Sequence, residues 1–100
     1  MTYLTIEAIK QQLRIDVNFT LDDVLLESLG DGAENFLEAH LNIALDDVCA
    51  DNSGYLPDAL YRALLILVSY LYDNDGSGEN KEIPNAFWVL CAPYKKYSIA

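Results

Sequence analysis

The sequence predicts an all-α protein: a small single-domain helical bundle wrapped around one central apolar helix. Three observations carry this. Apolar residues recur at helical spacing along nearly the whole chain, and no alternating apolar–polar run lasts long enough for a strand. The stretch Pro57–Tyr72 is apolar on every side of a helical period, so it needs cover on every side. Finally, 100 residues suffice for one domain and not comfortably for two, and a 52% hydrophobic content argues against disorder despite a net charge of −10.

Within the central stretch, Pro57 suits the first helical position, where its missing N–H would have no partner. Asp58 then places negative charge at the positive end of the helix dipole. The run Leu64–Val68 is as apolar as a membrane span. Only about ten residues separate Arg62 from Asp73, however, and crossing a bilayer takes roughly 20. The helix therefore belongs to a core, with Leu64, Leu67, Val68 and Leu71 almost fully buried, and no membrane is expected as a partner. The opening Met1-Thr2-Tyr3-Leu4 has no basic region followed by an apolar run, so no signal peptide is expected either.

The remaining elements follow in order. Thr5 is a good N-cap with Glu7 in the first turn, and Ile6, Ile9 and Leu13 set a short amphipathic helix from Ile6 to Leu13. Val17-Asn18-Phe19 form a link. Thr20 caps a second helix, Leu21 to about Leu41, with Asp23 as the acid of an approximate capping box. Leu25, Leu29, Ala33, Phe36 and His40 are expected on its inner face, with Asp22, Glu27, Asp31, Glu34 and Glu38 on the others. Gly30 and Gly32 mark either a close approach to the central helix or a kink, and the unbroken phase favours close approach. Asn42 stops the helix. Ile43–Tyr55 reads as a loop with room for one helical turn, and Asp73–Asn80 as a polar connection. Pro84 opens a last short helix to about Leu90, and Pro93 ends it. Residues 1–93 thus form a helical core and 94–100 a tail.

Little in the chain points to catalysis. Asp73-Asn74-Asp75-Gly76-Ser77-Gly78 resembles half of a calcium loop, but position twelve, which should be a bidentate Glu, is Pro84. His40 is the only histidine, with no nucleophile-elbow or Cys-His signature to recruit it. No His/Cys cluster suits a metal, and no Gly-rich loop suits a phosphate. Cys49 and Cys91 read as reduced, buried, small apolar residues, with an inter-helix disulfide as the alternative. An enzyme is not expected, and no cofactor. Sixteen acidic against six basic residues disfavour a direct nucleic-acid ligand. An acidic surface instead lets DNA pass without adhering, or imitates DNA to a basic partner.

Seven tyrosines raise the prospect of interfaces. Tyr61, Tyr70 and Tyr72 flank the central helix, whereas Tyr94 and Tyr97 bracket Lys95 and Lys96. With Ile99, this tail combines positive charge and apolar area near a chain end. The acidic loop bearing Asp46, Asp47 and Asp51 is its natural counterpart. These eight residues form the candidate assembly interface.

The segments together resemble a known family. Thr5–Asp16 closes in Leu13-Arg14-Ile15-Asp16, and Asp22-Asp23-Val24-Leu25-Leu26-Glu27-Ser28-Leu29 follows as an Asp-capped Leu-rich helix. Phe36-Leu37-Glu38-Ala39 gives an aromatic-x-Glu-Ala pattern, and Leu56-Pro57-Asp58-Ala59-Leu60 a Leu-Pro opening. Leu90-Cys91-Ala92-Pro93-Tyr94-Lys95 comes last. In order and spacing this set resembles the phage gp6-like head–tail connectors, also described as DNA-packaging proteins. The departures are Gly30 and Gly32, where the family usually has helix formers, and Lys95, where it usually has Arg.

The resemblance implies an all-α adaptor that forms a ring of about a dozen copies below the portal of a tailed phage. Portal and tail-side proteins would be its partners, DNA would pass through the lumen, and the protein would reside in the virion after synthesis in the bacterial cytoplasm. The alternative is an acidic DNA mimic that inhibits or regulates a basic DNA-binding protein.

Overall fold

The computed structural model describes residues 2–74 and 82–95. Its helices are α1 (Ile6–Leu13), α2 (Asp23–Leu41), α3 (Leu45–Ala50), α4 (Asp58–Asn74) and α5 (Asn85–Cys91), with a 3₁₀ turn over Ala92–Tyr94. No strand occurs among the described residues. The all-α fold predicted from periodicity is the fold observed.

α4 is the centre. Leu60, Ala63, Leu64, Leu67 and Val68 are fully or almost fully buried, and the helix packs on α5 and α2 with α1 also against it. Leu71 departs from expectation: it is only half-buried, as are all of residues 69–72. That stretch borders an open cleft lined in part by Gln12, Ser69, Tyr70 and Pro84, where helical cover thins. Pro57 also lies one residue outside the predicted position. It precedes the helix, and its carbonyl accepts the first bond, from Tyr61 N–H at 3.0 Å.

α1 has the predicted bounds. Thr5 Oγ1 accepts from Ala8 N–H at 3.1 Å, and Arg14 closes the helix in the left-handed conformation at φ 60°. Ile9 is completely buried. So is nearly all of Lys10, whose ammonium donates to the Val17 carbonyl at 3.1 Å and faces Asp23 Oδ1 at 2.8 Å. The second contact is an ion pair without hydrogen-bond alignment at that oxygen.

α2 differs from its predicted start and its predicted face. It begins at Asp23, not Leu21. Thr20 contributes only a backbone turn to Asp23 N–H, Asp22 holds the cap position without a side-chain bond, and the Asp23 carboxylate is committed to Lys10. The buried stripe is Leu26, Gly30, Ala33, Leu37 and Leu41, one position on from Leu25, Leu29, Phe36 and His40. Size decides between the two neighbouring stripes. Ala33 is common to both; Gly30 lies in the stripe that meets the bundle, whereas its neighbour Leu29 belongs to the stripe that falls on a shoulder, where Phe36 and His40 meet α5. The helix runs unbroken through both glycines, and Asn42 ends it at φ 59° as expected.

Glu34, expected on a solvent face, is buried. Its two carboxylate oxygens accept from the backbone N–H groups of Thr2, Tyr3 and Leu4 at 3.0, 2.9 and 2.9 Å, tying the N-terminal segment across α2. Such charge-assisted bonds offset the cost of removing the carboxylate from water. Towards the C-terminus, Pro84 sits just ahead of α5. Pro93 does not end the helical path, because the chain continues through it in the 3₁₀ turn. Asp73 and Asn74 belong to α4; the rest of the predicted polar connection, residues 75–80, lies outside the described residues.

Candidate assembly surface

The predicted loop residues sit on and after α3. Leu45 N–H is held by Glu38 Oε1 at 3.0 Å, which sets the turn between α2 and α3. Asp46 and Asp47 occupy the first turn of α3, where carboxylates complement the helix dipole. Asp46 Oδ1 accepts a hydrogen bond from the Tyr3 hydroxyl, and Asp47 is exposed. Asp51 caps the C-terminal end of α3 and is exposed as well.

On the other side, Tyr94 is the last residue of the 3₁₀ turn and packs half-buried against the core, so the chain is still anchored there. Lys95 follows it. Lys96, Tyr97 and Ile99 lie outside the described residues. Of the predicted interface residues, Asp51 and Tyr94 line one groove of about 180 Å³. Ile43, Val48, Pro57, Pro93 and Tyr94 form its walls, with Asp51 among the polar groups. The acidic loop and the start of the tail therefore adjoin within a single chain.

α2 and α5 meet in an aromatic group. His40 packs edge-on to Trp88 with ring centres 4.8 Å apart, and Trp88 meets Phe87 at 4.9 Å. Burial, then the Lys95 ammonium, hold the imidazole below its usual range, so His40 is neutral at physiological pH. Both cysteines are buried free thiols. Burial raises the Cys91 thiol to about 11; burial and then Asp46 raise Cys49. Both shifts lower the fraction of thiolate, the reactive form. Among the described residues, no group of three or more His, Cys, Asp or Glu is placed to hold a metal ion, and no helix is long and apolar enough to cross a membrane.

Sequence reasoning missed one exposed apolar segment. Val17, Phe19, Leu21 and Val24 all project into solvent between α1 and the first turn of α2. The available signal was three large apolar residues in a link that belongs to no helical face.

Neither a curated protein nor a solved structure matches this chain. The family comparison does give a match. The model for the phage gp6-like head-tail connector protein covers residues 3–87, from the N-terminal segment through α4 into α5. The closing Leu-x-Ala-Pro-Tyr-basic segment falls beyond the matched residues. With the match spanning the buried stripes of α1, α2 and α4, the chain belongs to the phage gp6-like head–tail connector family.

Proposed function

We propose that this protein is a structural adaptor at the head–tail junction of a tailed phage or prophage. Copies assemble into a ring on the portal, a tail-side protein docks beneath, and DNA passes through the lumen as cargo. The family match over residues 3–87 carries this reading. The molecule's physical character supports it. A subunit with a net charge of −10 presents a surface that repels the DNA backbone, which favours sliding over adhesion. The end of the molecule bearing Asp46, Asp47, Asp51, Tyr94 and Lys95, continuing into Lys96, Tyr97 and Ile99, serves as an assembly face. The DNA-mimic alternative has no support beyond acidity.

The experiment is electron microscopy of purified portal with and without the chain, alongside particle assembly without it. Ring-shaped density added to the portal, and tailless particles when the chain is missing, are the expected results. Portals that gain no ring, together with normal tail attachment in its absence, overturn the proposal. Deleting Lys95–Ala100, which spares the packed Tyr94, tests the face separately. The shortened chain should fold normally and assemble poorly, and the charge contacts it loses should be those that added salt weakens in the full chain.

A further inference from the structure

A ring contact is heterologous: each subunit presents two different patches, and one must fit the other on its neighbour. Among the described residues, Asp51 of the acidic loop and Tyr94 at the start of the tail line one groove of one chain, and so count as one patch. The second patch therefore lies elsewhere. Resting on the connector reading, we propose that the link between α1 and α2 is that second patch, and that Phe19 and Leu21 of one copy enter the Tyr94 groove of the next.

The link is held in place to do this. Asp16 organises it, accepting from Asn18 N–H through Oδ1 and from Phe19 N–H through its carbonyl, each at 2.9 Å. Lys10 holds it from below, donating to the Val17 carbonyl while facing Asp23. On this hydrogen-bonded frame Val17, Phe19, Leu21 and Val24 are 57%, 43%, 84% and 80% exposed. Four large apolar side chains in one short, pinned segment are held away from their own core.

Position and size indicate the occupant. The link precedes the N-terminus of α2 and the groove begins just beyond its C-terminus, at Ile43. Nineteen residues of α2 separate them, about 28 Å along the axis. A protrusion at one end and a half-open hollow of mixed polar and apolar lining at the other is head-to-tail geometry. The hollow of about 180 Å³, walled by Ile43, Val48, Pro57, Pro93 and Tyr94 with Asp51 and Asn52 also in its lining, has the size to take one aromatic ring. Charge is mixed at the fit: Asp16 and Asp22 flank the apolar residues of the link, and the groove offers Asp51 in its lining as well as Lys95 next in sequence to Tyr94.

Area limits the strength. A fully exposed aliphatic or aromatic side chain offers on the order of 100 Å² of apolar surface, so the four, weighted by their fractional exposure, offer roughly 250 Å². A stable pair buries about 800 Å² per partner. The link is thus the apolar centre of a contact that is weak between two free subunits. It persists when copies are held side by side, as on a portal.

Cross-linking tests this. Leu21→Cys and Asp51→Cys chains are mixed at high concentration under mild oxidation. The native thiols are both buried, and a parallel wild-type sample accounts for any linkage through them. Mixed disulfides should exceed either homodimer by about tenfold, and the double variant should give a covalent ladder. Dominant Leu21→Cys homodimers, or no excess over a Leu21→Cys with Gly32→Cys control pair, overturn the proposal. So does a Leu21→Cys chain that links only to a different protein in particles. Leu21→Asp with Val24→Asp, both exposed positions, should melt like the wild type and lose the ladder. If that variant still forms rings on portals at normal yield, the docking assignment is wrong and the connector reading stands. If the wild type never joins portals, the reading itself fails.

Discussion

Glu34→Ala gives the sharpest test of how the N-terminal segment is held. The carboxylate accepts three backbone N–H groups at 2.9–3.0 Å, and it is itself buried within α2. In the alanine variant the amides of Thr2 and Tyr3, being only partly covered, turn to water. Leu4 is buried, and its amide is left without an acceptor, at a cost of about 1–3 kcal/mol. Losing charge-assisted bonds at the other two adds to this, while release of the buried carboxylate's desolvation subtracts. The net loss should be about 2–4 kcal/mol, a fall in Tm on the order of 15 °C for a domain of this size. Urea unfolding measures the loss, and hydrogen exchange at the Tyr3 and Leu4 amides locates it. A loss below about 1 kcal/mol, or protection of those amides unchanged from wild type, would show that Glu34 does not hold the segment.

Three further perturbations address other parts of the fold. Leu67→Ala empties a fully enclosed site on α4 and should cost about 2–5 kcal/mol; a urea midpoint near wild type would contradict the central-helix packing. Gly32→Ala should stabilise by about 0.5–1 kcal/mol, because a Cβ there meets nothing within 4 Å and helix propensity improves; a lower Tm would refute this. For His40, burial and then the Lys95 ammonium hold the folded imidazole below its ordinary 6.5, so the unfolded chain takes up the proton first and stability falls as pH drops through that value. Solvent screening keeps the effect small. His40→Asn should flatten the stability–pH slope between about pH 7.5 and 5.5, and identical slopes would show that His40 does not contribute.

The sequence made α1 legible because local signals agree there: Thr5 caps, the spacing of Ile6, Ile9 and Leu13 sets the face, and nothing competes. α4 was legible for the opposite reason, since a helix apolar on all sides leaves no face to choose. α2 was not, because two adjacent stripes are both apolar and periodicity cannot rank them. The small residue Gly30 was the better guide to close packing than the large Leu25 and Phe36. At the candidate surface, the adjacency of Asp51 and Tyr94 depends on how α4 and α5 fold back, which no local pattern encodes. Glu34 was misplaced and Lys10 given no place, for a common reason. Lys10 and Glu34 carry residue types usually exposed, and their burial follows from partners distant in sequence or outside any helix.

Those two buried charges have the same task at two places. Glu34 fastens the segment before α1 to α2, and Lys10 fastens the segment after α1 to both α1 and the start of α2. Apolar packing could have supplied comparable stability, since replacing a buried ion pair with well-packed hydrophobes is often neutral or favourable. It could not have supplied the same geometry. A link carrying Val17, Phe19 and Leu21 gains free energy by folding onto any nearby apolar surface, its own core included. A hydrogen bond to the Val17 carbonyl has direction, and it fixes the backbone without burying the neighbouring side chains. Polar anchoring is therefore the means by which a small domain keeps apolar residues outward for a neighbour.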